Sequence, residues 1–195
     1  MADPTATHSP RRNRLPGEKA QLMSASEIDR TLVRLAHEIL ERNNGIENLM
    51  LVGIERRGAP LAARLAQTIG GIESAEPAVE TLDTVPYRDD RTKAAPPRAE
   101  ESSPARFSVD GKKVILVDDV LFTGRTTRAA LDGLLAFGRP QRVELCVLID
   151  RGHRELPILA NYIGRSIQTS ESEVIEVRLR EVDGEDRVVL CERQA

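Results

Sequence analysis

Three short, nearly uninterrupted apolar runs separated by helical stretches restrict this chain more than any other feature. Residues 48–54 (NLMLVGI), 113–117 (KVILV) and Arg142–Asp150 (RVELCVLID) each read as a strand. A strand with one solvated face alternates polar and apolar residues; these do not, so both faces are covered. Such strands alternating with helices predict an α/β fold, a central and mostly parallel sheet flanked by helices. The first helix opens at Ser24, with Glu27 three residues on in the form of a capping box. Ile28, Leu32, Leu35 and Ile39 make one apolar stripe, and Asn43-Asn44-Gly45 ends it, Gly45 suiting a left-handed cap. A second helix starts at Pro60, with Leu61, Leu65 and Ile69 inward, and stops at Gly70-Gly71. A third spans about 126–137, with Leu131, Leu134 and Leu135 inward. Residues 77–85 read as a further strand. Past Arg151 the pattern changes: 174–182 and 187–191 flank Asp183-Gly184-Glu185-Asp186, a β-hairpin capping the sheet.

The 195 residues suit one domain, 21–195, preceded by an arm. Residues 1–20 (MADPTATHSPRRNRLPGEKA) are Pro-rich, polar and aperiodic, the pattern of a disordered segment. Residues 89–104 are polar, contain Pro96-Pro97 and have no period, a loop long enough to be a functional lid or disordered. With three Phe, two Tyr and no Trp, the core must be aliphatic. No apolar run approaches the ~18 residues that cross a bilayer, and no secretory signal is visible, so a cytoplasmic protein away from membranes is expected. Two isolated cysteines form neither a disulfide framework nor a metal site. The net charge of −3 excludes a protein that holds nucleic acid by overall basicity, though not one with a local basic face.

Most chemistry is concentrated in 114–127, VILVDDVLFTGRTT. A strand ends in Asp118 and Asp119, a short turn follows, and a helix begins. In an open parallel sheet, ligands bind beyond the carboxyl ends of the strands, where both acids and the turn lie. Amides at a helix N-terminus favour an anion, Gly124 lets the backbone approach, and Thr123, Thr126 and Thr127 add hydroxyls. The carboxylates cannot face that anion; they accept hydrogen bonds from vicinal hydroxyls or hold Mg²⁺. A phosphate beside a diol describes a ribose 5-phosphate. Directly after the first strand, Glu55-Arg56-Arg57-Gly58 presents two guanidinium forks suited to a diphosphate. Gly53 and Gly58 have the spacing of a P-loop, but Ala59-Pro60 stands where Lys-Ser/Thr would, and no Gly-x-Gly-x-x-Gly occurs.

Residues 114–127 resemble the phosphoribosyl pyrophosphate (PRPP) signature of type I phosphoribosyltransferases. The resemblance implies that fold, with a small C-terminal hood drawn largely from 151–195. It implies that Asp118 and Asp119 bind the ribose hydroxyls and that Val120, Leu121, Phe122, Thr123, Gly124, Arg125, Thr126 and Thr127 form the signature turn around the 5-phosphate. Further stretches, Arg34-Leu35-Ala36-His37-Glu38, Tyr87-Arg88-Asp89-Asp90 and above all DRGHRELPI from Asp150, are similar to the family of bifunctional pyrimidine-operon regulators and uracil phosphoribosyltransferases (PyrR). That family implies two activities. One is uracil + PRPP → UMP + diphosphate, with Mg²⁺ accompanying PRPP. The other is binding a hairpin in pyrimidine-biosynthesis (pyr) mRNA, favoured by UMP or UTP, by a homodimer or homotetramer. On this resemblance Arg56, Arg57 and Arg98 hold the diphosphate, and Arg151 contacts uracil or diphosphate. Backbone groups near Ile175 read the uracil edge, and Asp119 is a candidate base for uracil N1.

For RNA, the expected face combines Arg30, Arg34 and His37, opposite the apolar stripe of the first helix, with His153, Arg154 and Arg165. The chain departs from the family there: Val33 stands in place of a common Thr, Leu159 of an Arg, and Asn161 of an Asp. Val85-Pro86 also interrupts the usual Thr-Leu before Tyr87. Salvage without RNA regulation, or RNA regulation with vestigial catalysis, are the competing readings.

Overall fold

The computed structural model describes residues 17–88 and 107–193. In chain order the elements are β1 (Glu18–Ser24), α1 (Ala25–Asn43), β2 (Leu49–Ile54), α2 (Gly58–Glu73), β3 (Ala78–Leu82), β4 (Lys113–Leu121), α3 (Arg125–Leu135), β5 (Arg142–Asp150), β6 (Tyr162–Ser166), β7 (Glu173–Arg178), α4 (Arg180–Asp183) and β8 (Arg187–Glu192). A 3-10 turn at Val85–Tyr87 follows β3. Five strands form one sheet in the order β3-β2-β4-β5-β6, every neighbouring pair parallel. Three form a second, antiparallel sheet, β1-β8-β7, the hood.

The apolar runs are buried on both faces, as their lack of alternation requires. Leu49, Leu51, Ile115, Val117, Cys146 and Leu148 pack with Ile28, Leu32, Leu35 and Ile39 of α1 and Leu61, Leu65 and Ile69 of α2. Their sequence neighbours Met50, Val52, Val114, Leu116, Leu145 and Val147 pack on the other face with Ala130 and Leu134 of α3. Each such side chain contributes roughly 1.5–3 kcal/mol on leaving water. The hood joins the first of these cores through Met23, Ile175, Val177, Leu179 and Val188. Burial and neighbouring Glu38 push the Cys146 thiol up to about 12, which makes it an inert apolar filler.

The capping box forms: the Ser24 amide donates to Glu27 Oε2 at 2.8 Å. Several local expectations need correction. Strand β1 already runs from Glu18, so the arm does not reach residue 20, and the N-terminal segment supplies a hood strand. The left-handed cap of α1 falls on Asn44. Helix α2 continues through Gly70-Gly71 to Glu73, because its packed face outweighs the weak propensity of glycine. Leu135 is 57% exposed rather than inward, since α3 ends there and turns it to solvent. The C-terminal hairpin contains a turn of helix, α4, between its strands. Strand β6 had no clear signal: YIGRS alternates weakly, and its Gly164 is where a Cβ would lie 2.4 Å from the Leu148 carbonyl oxygen.

Candidate functional site

The acid pair lies at the carboxyl edge of the parallel sheet, at the centre of its strand order. Asp118 is 7% exposed; its Oδ1 accepts the Asp119 amide at 2.9 Å, and Asp119 Oδ1 accepts the Val120 amide at 2.9 Å. Burial, reinforced by the second carboxylate, holds Asp118 well above the usual carboxylate range. Burial also raises Asp119, although its amide contacts and the Arg57 charge pull it down. Two desolvated acids side by side are unfavourable unless hydroxyls or a cation join them.

A cleft of about 480 Å³ opens over the pair, lined by Glu55, Arg56, Arg57, Asp83, Thr84, Val85, Arg88, Asp118, Asp119, Val120 and Thr126. The structure therefore brings together the expected ribose acids, both loop arginines and one hydroxyl of the signature turn. The glycines explain the geometry of the arginine loop. A Cβ on Gly58 would lie 2.2 Å from the Val117 carbonyl oxygen, and one on Gly53 2.4 Å from Ala59 Cα. Their P-loop-like spacing is thus a packing requirement that seats α2 against β2 and β4, placing Arg56 and Arg57 beside the acids. The Glu55–Arg56 peptide is cis. Arg57 is held by Asp183 of α4: its Nε donates to Oδ2 at 3.1 Å and its Nη2 to Oδ1 at 2.8 Å.

Gly124 adopts φ 91°, the left-handed region, and α3 starts at the next residue, so the turn's amides gather at a helix N-terminus. The stretch after β5 holds that turn from behind. Glu155 and Leu156 amides donate to the Thr123 carbonyl at 3.0 and 3.1 Å. Arg154 Nη1 donates to the Phe122 carbonyl at 2.8 Å, Leu121 at 3.3 Å and Gly152 at 2.9 Å, while its Nη2 pairs with Asp150 at 2.6 Å. Arg125 Nε donates to Glu155 at 2.7 Å.

Other expected residues are placed elsewhere. Arg151 does not line the cleft; it is 5% exposed, donates to the Thr169 hydroxyl at 3.2 Å and the Glu173 carbonyl at 2.7 Å, and lies 4.0 Å over the Phe122 ring. Ile175 is buried on β7, an edge strand of the hood. Arg98 lies outside the described residues, as does the whole 89–104 loop. Cleft residues that had no assigned role are Glu55, Asp83, Thr84, Val85 and Arg88; Glu55 stood in the arginine-loop motif, Val85 in the departure before Tyr87 and Arg88 in the Tyr-Arg-Asp-Asp stretch, whereas Asp83 and Thr84 had no signal.

A second groove of about 360 Å³ runs between α1 and β6, lined by Met23, Glu27, Arg30, Thr31, Arg34, Gly164 and Arg165. It gathers three of the six residues expected to meet RNA. Arg34 Nη2 also donates to the Ile163 and Gly164 carbonyls at 2.9 and 2.7 Å, and Arg165 Nη1 to the Leu22 carbonyl at 2.5 Å. His37 is exposed one helical turn beyond Arg34. His153 and Arg154 are not among the groove residues: the His153 ring meets the Thr169 carbonyl at 2.6 Å and the Phe122 edge, and Arg154 buttresses the signature turn. Among the described residues no three His, Cys, Asp or Glu side chains cluster to cage a metal, and no helix is long and apolar enough to cross a membrane.

Among solved structures, the chain resembles a hypoxanthine phosphoribosyltransferase of Staphylococcus aureus (TM-score 0.66, 19% identity, 91% of this chain and 94% of that one). The enzyme of Trypanosoma cruzi is comparable (TM-score 0.68, 16% identity, 92% and 100%). These likenesses establish the fold. The phosphoribosyl transferase domain matches residues 21–181. A protein of Pelotomaculum thermopropionicum named bifunctional protein PyrR is 55% identical over 175 residues, 90% of this chain and 97% of that protein. One of the same name from Thermus thermophilus is 53% identical over 176 residues, again 90% and 97%. With half of its residues shared over nearly the full length of both relatives, the chain belongs to the bifunctional PyrR family of type I phosphoribosyltransferases.

Proposed function

We propose that this protein transfers the ribose 5-phosphate of PRPP to uracil, yielding UMP and diphosphate, and that it binds a pyr mRNA hairpin in response to UMP or UTP. The observation that supports the transfer is the cleft itself, which buried Asp118 and half-buried Asp119 line together with Arg56, Arg57 and Thr126 of the amide turn. The carboxylates accept the ribose hydroxyls, which offsets their desolvation. The amides and hydroxyls of 123–127 hold the 5-phosphate, remote binding energy that fixes the sugar for reaction. The C1′–oxygen bond to diphosphate breaks as the uracil N1–C1′ bond forms, through a cationic sugar that the nearby carboxylates stabilise. Asp119, its proton affinity raised by burial, is the candidate base that accepts the N1 proton. The arginine forks of Arg56 and Arg57 receive the negative charge of the departing diphosphate. The two carboxylates fit a hard cation: Asp118 and Asp119 would hold an Mg²⁺ that accompanies PRPP, and it would neutralise diphosphate charge. Arg151 orders Phe122 and ties β7, near Ile175, to the signature strand, a position from which it sets the base subsite.

The RNA reading rests on the groove of Arg30, Arg34 and Arg165, whose latter two guanidiniums are oriented by main-chain carbonyls before any phosphate arrives. A homodimer or homotetramer would present more than one such groove, which light scattering of the free protein checks. Turnover of uracil with PRPP and Mg²⁺ tests the enzyme: activity in the wild type, lost in Asp118→Asn with Asp119→Asn, is expected, and full turnover by that variant would sink the ribose assignment. RNA titration with and without UMP tests the regulator.

A further inference from the structure

Among the described residues, a salt bridge between Arg57 and Asp183 joins the hood to the arginine loop. Arg57 and Asp183 are 126 residues apart in sequence and meet through a two-bond fork. Asp183 is itself fixed: its Oδ2 accepts the Leu179 amide at 3.0 Å, its own amide donates to the Leu179 carbonyl at 2.6 Å, and Leu179 is fully buried in the core. The carboxylate is therefore anchored to the rigid part of the hood. The fork occupies Nε and Nη2 of Arg57, and no hydrogen bond is made by its Nη1 edge among the described residues.

An unrestrained arginine at this position has another partner within electrostatic reach. The Arg57 charge already lowers the proton affinity of Asp119, and Asp119 and Glu176 in turn stabilise the Arg57 cation. A long flexible side chain facing two poorly solvated carboxylates would fold onto them, closing the cleft with an internal ion pair. Asp183 competes for that cation from the opposite side. We infer that Asp183 is a positioning residue: it holds the Arg57 fork off the acid pair and keeps its remaining donors open for the diphosphate. The grip on diphosphate is thereby tied to the hood, which also carries Ile175 on β7. A separate tie, Arg64 Nε and Nη2 to Glu181 and Nη2 to Asp186, joins α4 to α2 without involving the loop, and provides an internal control.

This inference rests on Arg57 serving the diphosphate, and the experiment separates the two. Steady-state kinetics of the full chain are measured for wild type, Asp183→Asn, Arg57→Ala, the double variant and Glu181→Gln. Asparagine retains an acceptor for the Leu179 amide while removing the charge. Asp183→Asn is expected to raise the PRPP KM roughly tenfold, about what one charge-assisted pair supplies, with kcat and the uracil KM within about twofold. Because it acts through Arg57, it should add nothing in the double variant beyond Arg57→Ala alone. Glu181→Gln should lower Tm and leave the PRPP KM in place. If Arg57→Ala raises the PRPP KM while Asp183→Asn does not, the positioning role is wrong and the loop assignment stands. Full additivity in the double variant, or an equal PRPP effect from Glu181→Gln, also overturns it. If Arg57→Ala leaves the PRPP KM unchanged, the loop assignment falls and the inference with it.

Discussion

Asp118 shows how a residue proposed to bind ribose works against folding. Its carboxylate is buried beside a second one, and burial raises its proton affinity above the ordinary 3.8. The folded state therefore binds the proton more tightly than the unfolded state, and wild-type stability declines as pH rises through the raised value. Asp118→Asn removes that penalty. At pH 7.5 its Tm should exceed wild type by on the order of 3 °C, about what 1 kcal/mol produces in a chain this long. Turnover should fall on the order of 100-fold. The Tm advantage should shrink as pH falls and vanish below about pH 3.8, where the carboxyl is protonated in the folded and the unfolded chain alike; thermal melts across that range check it, and an advantage independent of pH would contradict the cause given. Arg154 has the opposite balance. Its charge is matched by Asp150 and its remaining donors by carbonyls at the signature turn. Arg154→Ala leaves the half-buried Asp150 carboxylate without its counter-charge and removes donors from the Phe122, Gly152 and Ile158 carbonyls. A loss of about 2–4 kcal/mol in urea unfolding, with a raised PRPP KM, is expected.

Among the elements, the arginine loop shows glycines required by packing rather than by a ligand. Gly53 and Gly58 lie where backbone meets backbone, so no side-chain adjustment can admit a methyl group. Gly58→Ala should force the start of α2 away from β4, costing about 1–3 kcal/mol and raising the PRPP KM, both measurable on one preparation. Helix α1 was legible to its cap, because the Ser24–Glu27 box and the 3.6-residue stripe are local and mutually consistent. Strand β6 was not, because its evidence is non-local. Tyr162 is buried with its hydroxyl donating to Glu144 at 2.8 Å and accepting from Asn43 at 3.0 Å, partners on β5 and α1. A five-residue run containing glycine has too little pattern to reveal that environment.

Across the whole molecule, two sheets divide the work. The parallel sheet supplies the acids, the turn and the arginine loop along one edge, and the hood closes against it through α4. The basic groove lies apart, between α1 and the edge strand β6, in a chain whose net charge is −3. RNA binding there must depend on local field, so it should weaken steeply with salt. Arg30→Ala is expected to reduce RNA affinity and to lower the slope of log K against log salt by about one; an unchanged slope would place the RNA elsewhere. Leu159, 82% exposed, adds no charge to that field.

Local pattern was enough for the class of fold and the centre of the site. Apolar runs without alternation mean strands covered on both faces, and acids followed by a glycine turn at a helix start are neighbours in space because they are neighbours in the chain. Contacts between distant segments had to await the three-dimensional arrangement. That Glu18–Ser24 pairs with Arg187–Glu192, that Arg154 buttresses Phe122, and that Arg57 is held by Asp183 all join segments more than 30 residues apart. No period or spacing encodes such pairs; they follow from which surfaces remain to be covered once the sheet has closed on its helices.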